Sequence, residues 1–260
     1  MKYAQLIIGL LVGTALGGSV IAATGTYPNA ASATDSESIK KIVREVIDQE
    51  PKLIMDSVQK FQMAEQQKKT ANASEALKDP AVREAVFNNA DAASTGPKDS
   101  KRVIVEFFDY NCGVCKQMFS GLDALVKKDP TVRVVFFEFP IFGAQSDTNS
   151  KIGLAVNRLY PEKYFLFHEK MMTNPARGTD DKTALKFAAD LGMSADKVKA
   201  ESEKKEVADI LIANRVLGEK LHVQGTPLLI IGDEIIPHAL SPEELESRVN
   251  GIKPEAAKPQ

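Results

Sequence analysis

The chain has 260 residues, of which 43% are hydrophobic and 26% are charged, a composition typical of a folded globular protein. Lys plus Arg total 33 against 35 for Asp plus Glu, so the formal net charge of −2 lacks the positive excess that nucleic-acid binding requires. With only two cysteines, a fold held by several disulfides and a four-cysteine zinc module are both excluded.

Residues 1–23 have the pattern of an export signal. Lys2 is followed by an uncharged, mostly apolar stretch to Val20 and then by two small alanines, which favours cleavage after export. A retained membrane anchor is the alternative, because the uncharged stretch 3–26 is long enough to cross a bilayer. Under both interpretations the rest of the chain lies outside the cytoplasm.

Residues 24–37 are small and polar and are predicted to form a flexible leader, followed by a helical segment with its linker over 38–95. This segment carries an apolar stripe at helical spacing: Ile39, Ile42, Val43, Val46 and Ile47. Pro51 interrupts the stripe, which resumes through Phe61. The helix either folds back on the main domain or forms a self-association stalk over residues 38–70. We favour the stalk, since an apolar stripe must be buried against something.

The main domain is predicted over 96–250. Arg102–Asp109 and Val132–Phe139 have the apolar character of central strands, and the Cys112–Lys128 segment between them has helical spacing, which together indicate a βαβ unit. No strand-like run occurs over about 145–222, so a helical insertion is expected there.

Two short strands are predicted after the insertion, Pro227–Gly232 and Glu234–Pro237, joined by a tight turn. A last helix begins with Ser241 as its N-cap, and residues 251–260 are expected to be a loose tail. The domain is therefore of the α/β class.

The two cysteines form the motif Cys112-Gly-Val-Cys115 where the first strand leads into a helix. A helix N-terminus offers unpaired N–H groups and a partial positive charge that stabilise a thiolate, which is the reactive form of cysteine. Cys112 would attack a disulfide, and Cys115, farther into the helix, would resolve the mixed disulfide. The motif therefore predicts reversible redox chemistry.

The motif has three other interpretations. A permanent disulfide would close too short a loop to stabilise much. A zinc site would need two more ligands, and no pair of histidines has suitable spacing. A surface Cu(I) site remains open because two thiolates suffice for that ion. We expect no resident metal or cofactor.

Two other features accompany the motif. Pro227, after Gly225-Thr226, precedes a strand and suggests a cis peptide bond beside the cysteines. Glu106 is the only acid within an otherwise apolar strand, which suggests proton handling by a buried carboxyl. A solvated glutamate at a sheet edge is an equally good interpretation of the pattern.

The segment Phe107-Phe-Asp-Tyr-Asn-Cys-Gly-Val-Cys-Lys116 and the Gly225-Thr-Pro227 loop resemble thioredoxin-fold thiol–disulfide oxidoreductases of the DsbA type. The resemblance covers about residues 100–250 and implies a thioredoxin fold with an inserted helical domain. It implies that Cys112 and Cys115 are catalytic and that Glu106 occupies the position of the family's buried acid. Substrate contacts are expected from Gly113, Val114, Thr226 and Pro227.

The chain also resembles a subgroup that has an N-terminal helical extension and includes the periplasmic suppressor-of-copper-sensitivity C proteins (ScsC). The matching segments are Ile39–Glu45, the Pro51 break and Glu138–Gly143. In that subgroup the extension mediates oligomerisation, so the resemblance implies a homo-oligomer, dimeric or trimeric, through residues 38–70. His238 departs from the subgroup, which has a small residue there, and we expect a solvated loop histidine.

The dipeptide between the cysteines is Gly-Val and contains no histidine to pair with the Cys112 thiolate, so the disulfide should be less oxidising than that of DsbA. Thr226 before the proline is similar to the residue of disulfide isomerases. We therefore expect a periplasmic isomerase or reductase that acts on unfolded or misoxidised secreted proteins and is reset by a membrane redox partner. The alternatives are a dithiol oxidase and a Cu(I)-handling protein.

Overall fold

The computed structural model describes residues 33–176 and 178–252. The N-terminal helices are α1 (Ala33–Gln49), α2 (Pro51–Ala76) and α3 (Pro80–Phe87). Next come strand β1 (Ala93–Thr95), strand β2 (Arg102–Phe108), helix α4 (Gly113–Lys128) and strand β3 (Val132–Glu138). Helices α5 (Ala144–Leu159), α6 (Tyr164–Thr173), α7 (Asp181–Asp190), α8 (Ala195–Ser202) and α9 (Lys205–Lys220) follow. Strands β4 (Leu228–Ile231) and β5 (Glu234–Ile236) precede helix α10 (Pro242–Asn250).

Helix α1 begins earlier than the sequence pattern predicts. The end of the predicted leader over 24–37 is helical from Ala33, and acidic residues in this stretch favour a helix N-terminus. Pro51 separates α1 from α2 as predicted, because it takes the first position of α2, where a missing N–H is tolerated. The predicted signal over 1–23 lies outside the described residues.

The strands of the described chain form one five-stranded sheet in the order β1-β3-β2-β4-β5. Strands β2 and β3 are parallel, from Arg102 opposite Val132 to Phe108 opposite Glu138. This pairing confirms the predicted βαβ unit. Strand β4 pairs antiparallel with both β2 and β5, which confirms the predicted pair of strands after the insertion.

The predicted start of the main domain at residue 96 is too late. Strand β1 pairs antiparallel with β3, and helix α3 buries Val82 and Val86 in the core. Ala73 and Leu77 are buried as well, so the last part of the predicted 38–95 segment belongs to the globular core. A three-residue strand has no periodicity to detect, whereas Asp79 as N-cap and Pro80 at the first position are a readable helix start.

Strand β2 is apolar on both faces because helices cover both sides of the sheet. One face, which carries Ile104 and Phe108, packs in the same cluster as residues of α4, α5, α6 and α10. The other face, which carries Val105 and Phe107, packs with residues of α3 and α9. Side chains alternate along a strand, so Glu106 faces the α4 side.

Helices α5 to α9 occupy the segment predicted as a helical insertion. Helix α10 begins as predicted, with a reciprocal pair of hydrogen bonds between Ser241 and Glu244. Of the predicted tail over 251–260, only Gly251 and Ile252 are described. Among the described helices, none has the length and apolar character needed to cross a membrane.

Candidate functional site

Cys112 is the N-cap residue of α4, at the end of the parallel β2–β3 pair where active sites of open α/β sheets form. Its backbone N–H donates to the Asp109 carbonyl oxygen at 3.0 Å, which closes the turn between strand and helix. Its Sγ accepts from the Cys115 backbone N–H at 3.3 Å. An N-cap acceptor of this kind is normally a Ser, Thr or Asp oxygen, and here a sulfur takes that place.

The cis-proline predicted beside the cysteines is present. The Thr226–Pro227 peptide bond is cis, and Pro227 is buried. The Cys112 thiol donates to the Thr226 carbonyl oxygen at 3.3 Å, although the two residues are 114 positions apart in the chain. The structure therefore brings Thr226 and Pro227 to the reactive sulfur.

The two thiols have opposite acidities. Hydrogen bonding lowers the pKa of Cys112 from its ordinary value of 9.0 to about 6; the Cys115 thiol contributes most and burial opposes the shift. Smaller contributions come from the Thr226 side chain and from the backbone N–H groups of Cys115 and Val114. Burial, followed by the hydrogen bond with Cys112, raises the pKa of Cys115 far above its usual range. Near neutral pH, these surroundings favour a thiolate at Cys112 and a thiol at Cys115.

Glu106 is only 1% exposed and lies on β2, so the interpretation as a solvated edge residue is wrong. Neither carboxyl oxygen has a hydrogen-bond partner among the described residues. Burial, together with the charge of Cys112, raises the pKa of Glu106 from 4.5 to about 8. Glu106 in turn acts electrostatically on Cys115, which raises the pKa of that thiol further. A carboxyl with this pKa can both accept and release a proton near physiological pH.

Asp109 organises the surroundings of the motif and was not singled out by the sequence analysis. It is fully buried, and its Oδ1 accepts from the Asn111 N–H and the Ser146 hydroxyl, both at 2.8 Å. Its Oδ2 accepts from the N–H groups of Ile141 at 2.8 Å and Phe142 at 3.2 Å. Asp109 thereby fixes the β3–α5 loop beside the cysteines. Its position at the end of a strand, three residues before Cys112, was the available signal.

The α6–α7 loop of the helical insertion is attached to the motif through the side chains of Asn111 and Lys116. Asn111 accepts from the Thr179 N–H at 3.1 Å. The Lys116 ammonium donates to the carbonyl oxygens of Asn174 at 2.9 Å and Ala176 at 3.1 Å. These bonds join the residues just before and just after the cysteines to the loop between α6 and α7. The insertion therefore forms part of the wall of the site.

The other predicted residues take the following places. Gly113 is the exposed first residue of α4, and the Val114 side chain is 47% exposed. His238 is exposed, as expected of a loop histidine, and its ring approaches only the neighbouring Ala239 carbonyl oxygen. Within the described residues, no group of three or more His, Cys, Asp and Glu side chains has an arrangement that could hold a metal ion.

Comparison with known proteins agrees with this arrangement. The family model described as Thioredoxin matches residues 88–250. Disulfide bond formation protein D of Bacillus subtilis is 24% identical over 163 residues, which cover 59% of this chain and 73% of that protein.

Two solved structures are similar along most of their length. ScsC of Proteus mirabilis in a transitional conformation matches with a TM-score of 0.63 and 28% identity, over 85% of this chain and 97% of that chain. The thiol-disulfide exchange protein alpha-DsbA2 of Wolbachia pipientis matches with a TM-score of 0.64 and 26% identity, over 70% of this chain and 96% of that chain. Because the family model spans more than half of the sequence and includes the paired cysteines, this chain belongs to the thioredoxin family, as a DsbA-type thiol–disulfide oxidoreductase close to ScsC.

Proposed function

We propose that this chain is an exported disulfide isomerase or reductase that acts on secreted proteins in the periplasm. The observation that carries the proposal is how the Cys112 thiolate is stabilised. The groups that lower its pKa to about 6 are a thiol, the Thr226 side chain and backbone N–H donors, none of which carries a positive charge. An isomerase needs a nucleophile that is ionised at neutral pH but is not driven strongly to the reduced state.

The pKa of Cys112 relates directly to the redox balance. A lower thiol pKa stabilises the reduced form and makes the disulfide more oxidising. The corresponding pKa is about 3.5 in DsbA and about 7 in thioredoxin, so a value of about 6 lies nearer to that of thioredoxin. This comparison supports a disulfide that oxidises less strongly than DsbA.

The exchange reaction follows from the two acidities. The Cys112 thiolate attacks one sulfur of a substrate disulfide, whose S–S bond breaks while a mixed disulfide forms. In isomerisation, another substrate thiolate later attacks the mixed disulfide and releases Cys112 unchanged. In reduction, Cys115 loses its proton to the Glu106 carboxylate and attacks Cys112 Sγ, so that the substrate leaves as a thiolate. A membrane redox partner would then reduce the Cys112–Cys115 disulfide again.

The reduction potential of the cysteine pair tests the proposed direction. After equilibration with glutathione, we expect a potential below the roughly −120 mV of DsbA and toward the roughly −180 mV of protein disulfide isomerase. A potential at or above that of DsbA would contradict the proposal and identify a disulfide donor.

The Glu106→Gln variant tests the proposed proton acceptor. We expect release of glutathione from its mixed disulfide with Cys112 to slow by about 10²-fold, because general-base assistance to Cys115 is lost. Glu106 acts as a base only when ionised, so the wild-type rate should rise with pH and level off once Glu106 is ionised. The variant relies on direct ionisation of the Cys115 thiol, so its rate should keep rising with pH without this plateau. Rapid acid quenching followed by mass spectrometry measures both rates.

Glu138→Gln is the matched control. Glu138 is also 1% exposed, and it accepts a hydrogen bond from the Tyr164 hydroxyl at 3.2 Å. The Glu138→Gln variant should release glutathione at the wild-type rate and with the wild-type pH profile. An equal loss in both variants would show that any buried carboxyl on this face matters only for structure.

An apolar surface beside Cys112 supports the proposal that the substrates are unfolded proteins. Val114, Ile141 and Phe142 are 47%, 42% and 55% exposed, and we call these three side chains the apolar ledge. The last two are attached to the Cys112 turn through the Asp109 carboxylate. Exposed apolar side chains next to a reactive sulfur would contact the apolar segments that an unfolded protein presents.

The double variant Ile141→Ser with Phe142→Ser tests the ledge. The backbone bonds to Asp109 remain, so we expect the KM for a reduced or scrambled protein substrate to rise about 30-fold or more. Each buried apolar side chain contributes on the order of 1–2 kcal/mol of binding. The rate with glutathione disulfide should stay at the wild-type value.

Leu159→Ser with Leu166→Ser is the control, because these side chains are 37% and 49% exposed. Leu159 lies about 20 Å along α5 from Ser146, beyond the reach of the Cys112 turn. This variant should behave as wild type with both substrates. A loss with glutathione disulfide in the ledge variant would instead indicate damage to the cysteines.

The apolar stripe on the N-terminal helices supports self-association. Its residues on α1 are 43–58% exposed: Ile39, Ile42, Val43, Val46 and Ile47. On the first turns of α2, Leu53, Ile54 and Val58 are exposed to a similar extent. A stripe of this length on one helix face is typical of a contact with a second copy of the same helix. An oligomer would bring several Cys112 thiolates to one misfolded substrate.

The double variant Ile42→Ser with Val46→Ser tests this assembly. We expect sedimentation velocity to show a shift toward the monomer, and refolding of a scrambled-disulfide protein to slow several-fold, while reduction of glutathione disulfide is unchanged. Lys41→Ser with Glu45→Ser, a 3.9 Å ion pair on the opposite face of α1, should leave both properties intact. A monomeric wild-type protein, or full refolding activity in the first variant, would contradict the proposal.

A further inference from the structure

A second candidate site lies at the other end of the sheet from the cysteines. Arg133 is the second residue of β3 and pairs with Val103 near the start of β2. Cys112 follows the end of β2, so about 17 Å of strand separates the two ends. Side chains two positions apart on a strand point to the same face, so Arg133 lies on the face of β3 that carries Val135 and Phe137. This is the side of the sheet that α3 covers.

Arg133 is a buried cation that forms no salt bridge with any described residue. The residue is 8% exposed, and its Nε has no hydrogen-bond partner among the described residues. Its Nη1 donates to the Lys98 carbonyl oxygen at 3.2 Å. Burial lowers the pKa of Arg133. Burying a guanidinium without a paired anion is unfavourable, and a bound anion would offset part of that penalty.

The segment before β2 holds Arg133 in this position. Gly96 has a φ of +85°, and a Cβ at this position would collide with the Val132 carbonyl oxygen. Glycine therefore allows the chain to cross closely over the start of β3. This crossing brings the Lys98 carbonyl oxygen within hydrogen-bond distance of the Arg133 guanidinium.

Arg133 lines a cavity of about 520 Å³ between α3, the segment 98–101 and the β4–β5 turn. The cavity wall carries three more cations, Arg83, Lys98 and Lys101. Among the described residues, Lys98 and Lys101 form no ion pair, and both are exposed.

The cavity wall carries four cations and three acids, so one positive charge is in excess. Asp233 is engaged by Arg83 at 2.6 Å. Glu84 accepts from the Asn88 amide at 2.8 Å. The third acid, Asp99, shares the cavity wall with three cations that form no salt bridge among the described residues: Arg133, Lys98 and Lys101. The cavity therefore has an excess of positive charge around a buried guanidinium.

We propose that this cavity binds a phosphate group through Arg133, Lys98 and Lys101. The planar guanidinium presents parallel N–H donors that match two phosphate oxygens, and two ammonium groups neutralise the remaining charge. The site is independent of the thiol chemistry, because it shares no residue with the Cys112 motif and lies at the opposite end of the strands.

Binding of inorganic phosphate to the full-length protein tests the proposal. Calorimetry and thermal unfolding are run in phosphate and in chloride at equal ionic strength. We expect saturable binding of phosphate and a rise in Tm that chloride does not produce, because a ligand that binds only the folded state stabilises it. Equal behaviour in the two salts would overturn the proposal.

Variants locate the binding. Arg133→Gln should abolish binding, and Lys98→Ser with Lys101→Ser should weaken it about tenfold or more, since each lost charge-assisted hydrogen bond is worth about that factor. The lysine variant changes only exposed side chains and keeps the test valid if Arg133→Gln fails to fold. Undiminished binding in the lysine variant would overturn the proposal.

Lys60→Ser with Lys68→Ser on α2 removes the same charge at exposed positions outside the cavity. This control should bind phosphate as the wild type does. An equal loss in the control would show attraction by net charge alone and would contradict a site. Alkylation of Cys112 should proceed at the wild-type rate in every variant, so this test and that of the proposed function fail separately.

Discussion

The hydrogen bond from the Cys115 N–H to Cys112 Sγ connects the fold of this chain to its chemistry. It exists because β2 ends at Phe108 and α4 begins at Gly113, so that the sulfur takes the N-cap position. An N-cap acceptor gains from carrying negative charge, since it faces unpaired N–H groups and the positive end of the helix dipole. The same geometry that starts the helix therefore favours the thiolate. Cys115, buried one turn farther along, receives none of this benefit and stays protonated.

The surroundings of Cys112 depend on a second constraint, the buried Asp109 carboxylate. It accepts four hydrogen bonds from the Asn111 turn, the β3–α5 loop and the start of α5. A buried carboxylate is tolerated when its lone pairs are filled by such donors. Asp109 thus holds Ile141 and Phe142 of the apolar ledge beside the cysteines. The same carboxylate fixes the turn that leads to Cys112, so one side chain positions both the exposed apolar surface and the reactive sulfur.

Three buried ionisable side chains on the sheet differ in how their polar atoms are paired. Glu138 on β3 accepts from the Tyr164 hydroxyl, while both carboxyl oxygens of Glu106 on β2 lack partners. At the opposite end of the same strands, Arg133 Nε has no hydrogen-bond partner among the described residues. An uncompensated buried group costs stability, and such groups are retained where protons or ligands bind. Glu106 has a reacting neighbour in the cysteine pair, and the cavity around Arg133 offers room for an anion.

The amino-acid sequence alone determined the elements that are long and periodic, the dithiol motif and the cis-proline. These features depend on residues that are adjacent or a few positions apart: the apolar run of β2, the Cys112–Cys115 spacing and the Ser241 cap. Only the tertiary structure decided which polar side chains are buried. Glu106 fitted an edge or a central position equally well until β3 and β4 were found on both sides of β2. Strand β1 is a strand only because it pairs with β3, which lies about forty residues later in the chain. The cavity at Arg133 unites α3, the 98–101 segment and the β4–β5 turn. Burial and charge compensation depend on such distant contacts, and no local pattern in the chain encodes them.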